Sequence, residues 1–586
     1  MIPEMAAELA PKLVSKSAAV RHVIRSARHW GREVSASAVV LCSLLASPPC
    51  LAWPWEAESA KILKPPKATN TKVSLPTLVY CSEATPDGFD PAQHDSGVDS
   101  VATAQTLYNR LVEYQRGTWI VEPGLAERWD VSPDGRVYTF HLRRGVQFHT
   151  TPYFSPTREM NADDVMWTFH RLLDPQHPFN LAYPVYFSLF VRMPTGELIA
   201  QCEKLDDHTV QITLKQPSAS FIKQVAMACM SIMSEEYART LLARGRASEI
   251  NTKPIGTGPF VFRSYAKGDT IRFDGNMRYW KKGVVKLSKL IFDITPNASV
   301  RMNKLKRNEC QVSIFPHLTD LAALRKARDI TVLSDPGFNT SFLSYNVLHP
   351  ALQKKAVRQA LDMAIDKGAI IRGVYQDAAR IAHTVMPPLD GEAIDARFAS
   401  GLASRYDPAQ AKAILRKAGF ENGLDLTLWA ISIDRPYNPN ARLMAELIQA
   451  DWAKIGVRAK ISVEEPGVFY SRIASGKHDV AVMGWGGDAD DPEFWHIPIL
   501  ACPKGEAVVR HRWCDGRLDA LLQRASETRS AEARKALYRH VEEVAAEHRS
   551  ISPIAHATVF QPIRRSVEGM RVGPLLDIRF DEVTRH

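Results

Sequence analysis

The sequence predicts an α/β fold divided into two lobes, and three observations support this prediction. The chain has 586 residues, which exceeds the size at which a single hydrophobic core stops growing. In its second half, helical and strand periodicities alternate along the chain. A short apolar strand there, Val480–Met483, runs into the glycine-rich turn 484–488. Strand-end loops of this kind at a lobe interface are where ligands bind.

In the first half, three segments carry clear local patterns. Leu78–Cys81 is a short apolar run that predicts a buried strand. Val137–Leu142 alternates between two faces after the turn 133–135, which predicts a half-buried strand. Asn161 precedes acidic residues and the apolar-periodic stretch Val165–Leu172, so we predict a helix with Asn161 as its N-cap.

In the second half, the patterns are longer and alternate in type. Lys355–Arg372 has the apolar spacing of one helix with a single buried face. Ala441–Ile455 repeats that spacing, and Gly456 is expected to end the helix. Val457–Val463 alternates residue by residue and predicts a half-buried strand.

The N-terminus has the features of an export signal. Six basic residues precede an apolar stretch at 36–46, which is too short to span a bilayer. Small side chains at Cys50 and Ala52 suit cleavage after Ala52, so we predict a signal peptide over 1–52. Its basic leader is long, so either this region is extended or the true start lies downstream. We predict that residues 53–75 form a flexible N-terminal segment that precedes the folded part of the chain.

Composition and motifs argue against several function classes. The net charge of +10 is spread along the chain, which does not favour a nucleic-acid interface. The chain has no G-x-S-x-G, H-E-x-x-H or Walker A motif, and its histidines show no ligand spacing. Its cysteines form no C-x-x-C pair. We therefore expect no metal, no cofactor and no enzyme activity, with an unrecognised enzyme as the remote alternative.

Several motifs together resemble the family 5 peptide and nickel solute-binding proteins of bacterial ABC importers. The resemblance covers the chain from about Thr77 to the C-terminus. The motifs that carry it are Pro123-Gly-Leu-Ala-Glu-Arg-Trp-Asp130, Asn161-Ala-Asp-Asp-Val165, Pro254-Ile-Gly-Thr-Gly-Pro-Phe260, Val357-Arg-Gln-Ala-Leu361 and Tyr406-Asp-Pro-Ala-Gln-Ala-Lys412.

The resemblance implies a two-lobed periplasmic binding protein fold of the class II, cluster C type, with a hinge and an interlobe ligand cleft. It places lobe I, with the extra subdomain of peptide-binding proteins, at 76–337 and lobe II at 338–557. The chain then returns to lobe I at 558–586, so the lobe crossings fall near Gly337 and Ala557. The implied location is the periplasm, and the implied partner is an inner-membrane permease with cytoplasmic ATPase subunits. The implied state is a monomer that binds no nucleic acid.

Within the family, the dipeptide-binding members match more tightly, for example in Arg435-Pro-Tyr-Asn-Pro-Asn440 and Gly484-Trp-Gly-Gly-Asp488. A free dipeptide is a zwitterion, so its binder needs one fixed anion and one fixed cation. The ammonium-binding aspartate of the family falls on Asp488, and its carboxylate-binding arginine falls on Arg435. An arginine keeps its charge in a closed cleft and can hold a carboxylate through two hydrogen bonds.

Other residues of these motifs are candidates for ligand contact. Backbone groups of the glycine-rich strand can pair with a peptide as an added strand. Trp485 can instead serve lobe packing, and Asp488 can instead cap its loop, as Asp490 or Asp491 can. In the opposite lobe, the pocket loop of the family falls on residues 94–97, where His94 and Asp95 depart from the family pattern. The remaining ligand-binding candidates are Gly484, Trp485, Gly486, Tyr437, Asn438, Asp95, Ser96 and Gly97.

The resemblance also implies the disulfides Cys81–Cys310 and Cys502–Cys514. Cys202 and Cys229 lie outside the family pattern, and we predict that they are buried, unpaired thiols. Related members bind longer peptides, haem, nickel complexes or antimicrobial peptides, and these ligands are the alternatives to a dipeptide.

Overall fold

The structure is a computed structural model of the chain. It describes residues 75–94, 96–184, 195–389, 394–487, 489–502, 513–573 and 578–586. The predicted signal peptide, nearly all of the predicted flexible N-terminal segment, Asp95 and Asp488 lie outside the described residues. Within those ranges, no helix is both long and apolar enough to cross a membrane.

The strands are mostly short and occur along the whole described chain. They are β1 Thr77–Ser82, β2 Val112–Tyr114, β3 Val121–Pro123, β4 Ala126–Val131, β5 Val137–Leu142, β6 Ile199–Asp206, β7 Thr209–Leu214, β8 Phe260–Ala266, β9 Thr270–Gly275, β10 Lys289–Ile294, β11 Val312–Ser313, β12 Ile330–Pro336, β13 Asn339–Tyr345, β14 Ala379–Ile381, β15 Leu424–Ile431, β16 Val457–Glu464, β17 Val480–Gly486, β18 Ile551–Arg564, β19 Val567–Glu568 and β20 Thr584–Arg585.

The two longest described helices, of 14 and 18 residues, lie in the second half of the chain. The α-helices are α1 Gly97–Ala102, α2 Ala162–Leu173, α3 Pro178–Ala182, α4 Thr195–Leu198, α5 Phe221–Val225, α6 Glu235–Ala243, α7 Ala298–Lys306, α8 Leu321–Lys326, α9 Lys355–Met363, α10 Lys367–Tyr375, α11 Ala396–Gly401, α12 Pro408–Lys417, α13 Ala441–Lys454, α14 Pro466–Ala474, α15 Glu493–Leu500, α16 Gly516–Glu527 and α17 Ala531–His548. Short 3₁₀ helices span Ala228–Met230, Ala247–Asn251 and Leu318–Asp320.

The largest sheet contains both parallel and antiparallel strands. Its order is β16-β15-β17-β13-β18-β11-β1-β10-β9-β8, and β12 and β14 also pair with β18. β1 lies parallel to β10 and β11, while β15 lies parallel to β16 and β17. β18 pairs antiparallel with β11, β12, β13 and β14. This long strand therefore joins the two groups of parallel strands.

Two large hydrophobic cores lie on either side of this connection. The first is built from residues between Leu78 and Ile314 and between Ile563 and Val583, together with Ala489 and Phe494. The second is built from residues between Phe338 and Ala557. The predicted two-lobed α/β fold is confirmed.

The chain segments between the two cores are held together by main-chain and amide groups. The Gly337 N–H donates to the Ala557 carbonyl at 3.1 Å. The Asn339 side chain donates to that carbonyl at 3.0 Å and accepts from the Ala557 N–H at 2.9 Å. A Cβ at Gly337 would collide with the Ala557 carbonyl oxygen, so glycine permits this close approach.

A separate four-stranded antiparallel sheet has the order β4-β5-β7-β6. β5 buries Tyr138, Phe140 and Leu142 and leaves the alternate residues partly exposed, as the alternation predicts. Helix α2 follows, and Asn161 forms a reciprocal capping box with Asp164 at its start. The predicted strand and the predicted N-cap are both confirmed.

One predicted helix is wrong in its extent. The stretch Lys355–Arg372 forms two helices, α9 and α10, with a break at residues 364–366. The Asp366 carboxylate accepts from the Ala369 N–H at 2.8 Å and caps the second helix. The Asp366 N–H in turn donates to Asp451 at 2.8 Å. Ala364 and Ile365 in the break are buried like the apolar residues of the two helices, so the apolar spacing alone does not reveal the break.

The other predictions for the second half agree with the structure. Helix α13 ends at Lys454, and Gly456 has a φ of 87°, the left-handed conformation in which glycine ends helices. Strand β16 alternates as predicted over its first residues, but Val463 near its end is 38% exposed. β16 is the edge strand of the sheet, which leaves its end uncovered.

Disulfide bonds join Cys81 to Cys310 and Cys502 to Cys514. These are the two pairs that the resemblance implies. Cys229 is buried, but Cys202 is only partly buried, contrary to the prediction. Burial raises the pKa of the Cys202 thiol to about 12, which disfavours the reactive thiolate.

Candidate functional site

The glycine-rich strand β17 has an open edge at its C-terminal end. On one side it pairs with β13 along its whole length, with Ser341 opposite Gly484 and Asn339 opposite Gly486. On the other side, β15 pairs with it only at Val480 and Ala481. Within the described strands, the backbone of residues 482–486 therefore has no strand partner on that side. An extended peptide can hydrogen-bond to such an edge.

Arg435 lies on the loop between β15 and α13. Its N–H donates to the Asn438 carbonyl at 2.9 Å, and the Asn438 N–H donates back to the Arg435 carbonyl at 2.9 Å. This reciprocal pair closes a tight turn around Pro436 and Tyr437. Asn440 then caps α13 by accepting from the Leu443 N–H at 2.9 Å. The Pro-Tyr-Asn-Pro-Asn sequence thus fixes the backbone that presents Arg435.

The Arg435 guanidinium is half-buried and has no acidic partner in the described part of the chain. Its Nη2 donates to the Tyr470 hydroxyl at 3.3 Å, and its buried Nε has no hydrogen-bond acceptor among the described residues. Burial alone would lower the pKa of Arg435, but Tyr437 and Tyr470 oppose this and the net direction is upward. The site therefore holds a permanent positive charge that a ligand carboxylate can neutralise.

Tyr437 connects the Arg435 loop to the glycine strand. Its ring covers Gly484 so closely that a Cβ on Gly484 would overlap the ring. Its carbonyl accepts from the Tyr375 hydroxyl at 2.8 Å, and that hydroxyl also lies 2.8 Å from Ser341 Oγ on β13. Glycine at 484 therefore makes room for the Tyr437 ring.

Gly486, Trp485 and Asn438 differ in their surroundings. Gly486 is exposed, and a Cβ there would meet no atom within 4 Å. Trp485 is partly buried and packs against the second core, as its alternative interpretation predicts. Asn438 is 2% exposed and accepts from the Asn440 N–H at 3.1 Å, so its side chain stabilises the loop. Of these three residues, Gly486 is the most accessible to a ligand.

The opposite candidate loop has a structural role of its own. Ser96 is the N-cap of α1, where its Oγ accepts from the Asp99 N–H at 3.3 Å and donates to the Asp99 carboxylate. Gly97 is exposed and has open space around it. No hydrogen bond or ion pair of the described residues joins this loop to Arg435 or to β17. The structure thus brings together Arg435, Tyr437 and Gly484, but not Ser96 and Gly97.

Sequence reasoning missed three residues that support this site. Tyr470 on α14 contacts Arg435, while the Tyr375 hydroxyl donates to the Tyr437 carbonyl and is itself bound by Ser341. They come from distant segments that only the tertiary fold brings together, so no local motif could reveal them. Among the described residues, no group of three or more His, Cys, Asp or Glu side chains could hold a metal ion.

Asp491 has a structural partner, in line with its alternative interpretation as a loop residue. Arg534 donates to both of its carboxylate oxygens, at 2.8 and 2.6 Å. Burial raises the pKa of Asp491, but Arg534 overcomes this effect and the net direction is downward. This buried ion pair holds the segment after the glycine turn against α17.

The fold and this site define the chain as a bacterial extracellular solute-binding protein. The family model described as "Bacterial extracellular solute-binding proteins, family 5 Middle" matches residues 121–506, which is more than half of the chain. The chain therefore belongs to family 5 of these binding proteins.

Its individual relatives include peptide and haem binders. Di/tripeptide-binding protein 1 of Pseudomonas aeruginosa (strain UCBPP-PA14) is 48% identical over 507 residues, 86% of this chain and 94% of the relative. Heme-binding protein A of Haemophilus influenzae is 38% identical over 502 residues, 85% of this chain and 90% of the relative. The crystal structure of the dipeptide binding protein from Pseudoalteromonas sp. SM9913 in complex with Met-Leu is 35% identical, with a TM-score of 0.79. This match covers 87% of this chain and all of that one.

Proposed function

We propose that this protein binds dipeptides in the periplasm and delivers them to the permease of an ABC importer. The observation that carries the proposal is the half-buried Arg435, which has no acidic partner among the described residues and lies in the loop whose Tyr437 ring contacts Gly484 of β17. A buried charge without a counter-ion is costly, so such a site favours a ligand that supplies a carboxylate. A peptide C-terminus provides that group.

The ligand backbone pairs with the open edge of β17, and its ammonium group binds Asp488. In the sequence, Asp488 comes two residues after the end of β17, so we assign it the end of a short ligand opposite to the one that Arg435 binds. Two charges held at a fixed separation select for length, because an extended residue spans only about 3.3–3.6 Å. This proposal rests on the match to the dipeptide-binding motif and on the position of Arg435.

The chain division that we propose gives lobe I residues 76–337 and 558–586, and lobe II residues 338–557. The two hydrophobic cores support this division. The first core consists largely of residues before Gly337 and after Ala557, and the second consists of residues between them. Ligand binding then closes the lobes over the cleft. We propose that the protein acts as a monomer and that the permease, with its ATPase subunits, is its partner.

Native mass spectrometry of gently purified protein tests the ligand class. We expect an adduct with the mass of a dipeptide that is released intact on denaturation. Recovery of haem or of longer peptides as the main adduct would contradict the proposal, and a ligand cleaved during incubation would indicate an enzyme.

The role of Asp488 has its own test. We expect N-acetyl-dialanine to bind the parent protein much more weakly than dialanine, because acetylation removes the charge that Asp488 binds. Asp488→Ala should weaken dialanine binding, and the loss of one partner of a desolvated pair costs about 2–5 kcal/mol. Equal affinities of the acetylated and free dipeptides in calorimetry would refute this role.

A further inference from the structure

A charged cluster joins the segment after the glycine turn to helix α5. The Lys223 ammonium lies 2.7 Å from Asp490 and 3.7 Å from Asp491. The Ser220 hydroxyl donates to Glu493 at 2.7 Å. Lys223 lies on α5, and Ser220 is the N-cap residue of that helix. Helix α5 follows β7 in the chain. We call these five residues the α5 latch.

The latch lies between two elements that belong to different cores. Phe221 and Val225 of α5 pack in the first core, whereas Tyr538 of α17 packs in the second core. Arg534, also on α17, binds Asp491 through two hydrogen bonds. The segment 490–493 is therefore fixed to α17 on one side and contacts α5 on the other.

The latch carboxylates are poorly solvated and depend on these contacts. The side chains of Asp490 and Lys223 are 15% and 25% exposed, and that of Asp491 is 3% exposed. Burial raises the pKa of Asp490, and Lys223 opposes this rise. Loss of Lys223 would leave Asp490 as a partly buried charge without its partner, which destabilises the conformation that buries it.

We propose that Lys223 and Ser220 are positioning residues that hold segment 489–494, which directly follows Asp488 in the sequence, in the ligand-binding conformation. Residues 487 and 489 are themselves held in place. Gly487 donates to the Phe338 carbonyl at 3.0 Å, and Ala489 is fully buried in the first core. The consequence for ligand affinity rests on the proposed dipeptide binding, whereas the effect on the segment does not.

Hydrogen–deuterium exchange of the ligand-free protein tests the positioning directly. We expect Lys223→Ala to accelerate amide exchange in residues 489–494, and Lys223→Arg to restore most of the protection because it keeps the charge. Lys215→Ala is the matched control, since Lys215 is an exposed lysine that follows β7 in the same region. Unchanged exchange in Lys223→Ala would overturn the proposal.

Dipeptide affinity gives the second readout. We expect Lys223→Ala to weaken dialanine binding roughly fivefold through faster dissociation, in the range for a partly exposed ion pair. Asp490→Asn breaks the same contact from the other side, so the double variant should be no weaker than either single variant. Additive losses would overturn the proposal. If the parent binds no dipeptide, the proposed function fails, and the exchange experiment still decides the latch.

Discussion

Arg435 is the residue whose chemistry distinguishes this site from an ordinary loop. We predict that Arg435→Ala weakens binding of dialanine by about 2–5 kcal/mol, because the ligand carboxylate loses a desolvated partner. Titration calorimetry with dialanine and its C-terminal amide measures this. The amide should bind the parent weakly and should lose little on substitution. Arg442→Ala is the control, because Arg442 is 72% exposed in a surface ion pair. An equal loss for the acid and the amide would refute the assigned role.

Gly484 and Gly486 give a matched pair of substitutions two residues apart. An alanine at 484 must displace the Tyr437 ring, while an alanine at 486 meets no atom within 4 Å. Overpacking of a well-packed site costs about 1–3 kcal/mol. We therefore predict that Gly484→Ala lowers the free energy of unfolding of the ligand-free protein and that Gly486→Ala leaves it nearly unchanged. Denaturant titration measures the free energy of unfolding of both variants. Equal effects would mean that the position of the Tyr437 ring does not require glycine at 484.

At the level of elements, the sequence predicts regular helices and strands well, but it does not predict where one helix is interrupted. The N-cap at Asn161 and the alternation in β5 are local, so the sequence predicted both. The break between α9 and α10 depends on Asp366, which caps the second helix and contacts Asp451 of α13. The contact of Arg435 with Tyr470 likewise joins separate elements. Motifs identified Arg435, but only the tertiary structure identifies the tyrosines around it.

Helix α15 begins with a carboxyl group that couples stability to pH. Burial and the neighbouring Asp491 raise the pKa of Glu493, whereas Arg534, Ser220 and Ser526 oppose the rise, and the net value is about 7. Tyr538 also faces this carboxyl group. The pKa of Glu493 is near 4.5 in the unfolded chain and higher in the folded protein. Between these two values, the folded protein therefore keeps a proton on Glu493 that the unfolded chain has lost. Stability is therefore lost as the pH rises through about 7.

We predict that Glu493→Gln removes this part of the pH dependence. Glutamine is neutral and can still accept the hydrogen bond from Ser220. Relative to the variant, the parent should become less stable between pH 5 and pH 8, and denaturant titrations at both pH values measure the difference. A parent that gains stability relative to the variant over this range would contradict the assigned pKa direction.

At the level of the whole molecule, the fold class and the family followed from distributed sequence features. Helix–strand alternation indicated α/β architecture, and motifs from the N-terminal to the C-terminal part indicated the binding-protein family. The α5 latch could not be predicted, because Lys223 and Asp490 lie far apart in the sequence and neither belongs to a charge pattern. Contacts between lobes depend on how the two cores meet, and local periodicity carries no information about that.

The central claim is that Arg435 and Asp488 hold the two charged ends of a dipeptide. A tripeptide must then buckle or leave its carboxylate unpaired in a poorly solvated cleft, which is costly. Competition titrations of the parent protein with dialanine and trialanine test this most directly. We expect dialanine to bind at least roughly tenfold more tightly, a difference of about 1.4 kcal/mol. Equal affinities for the two peptides, or a preference for haem over both, would contradict it.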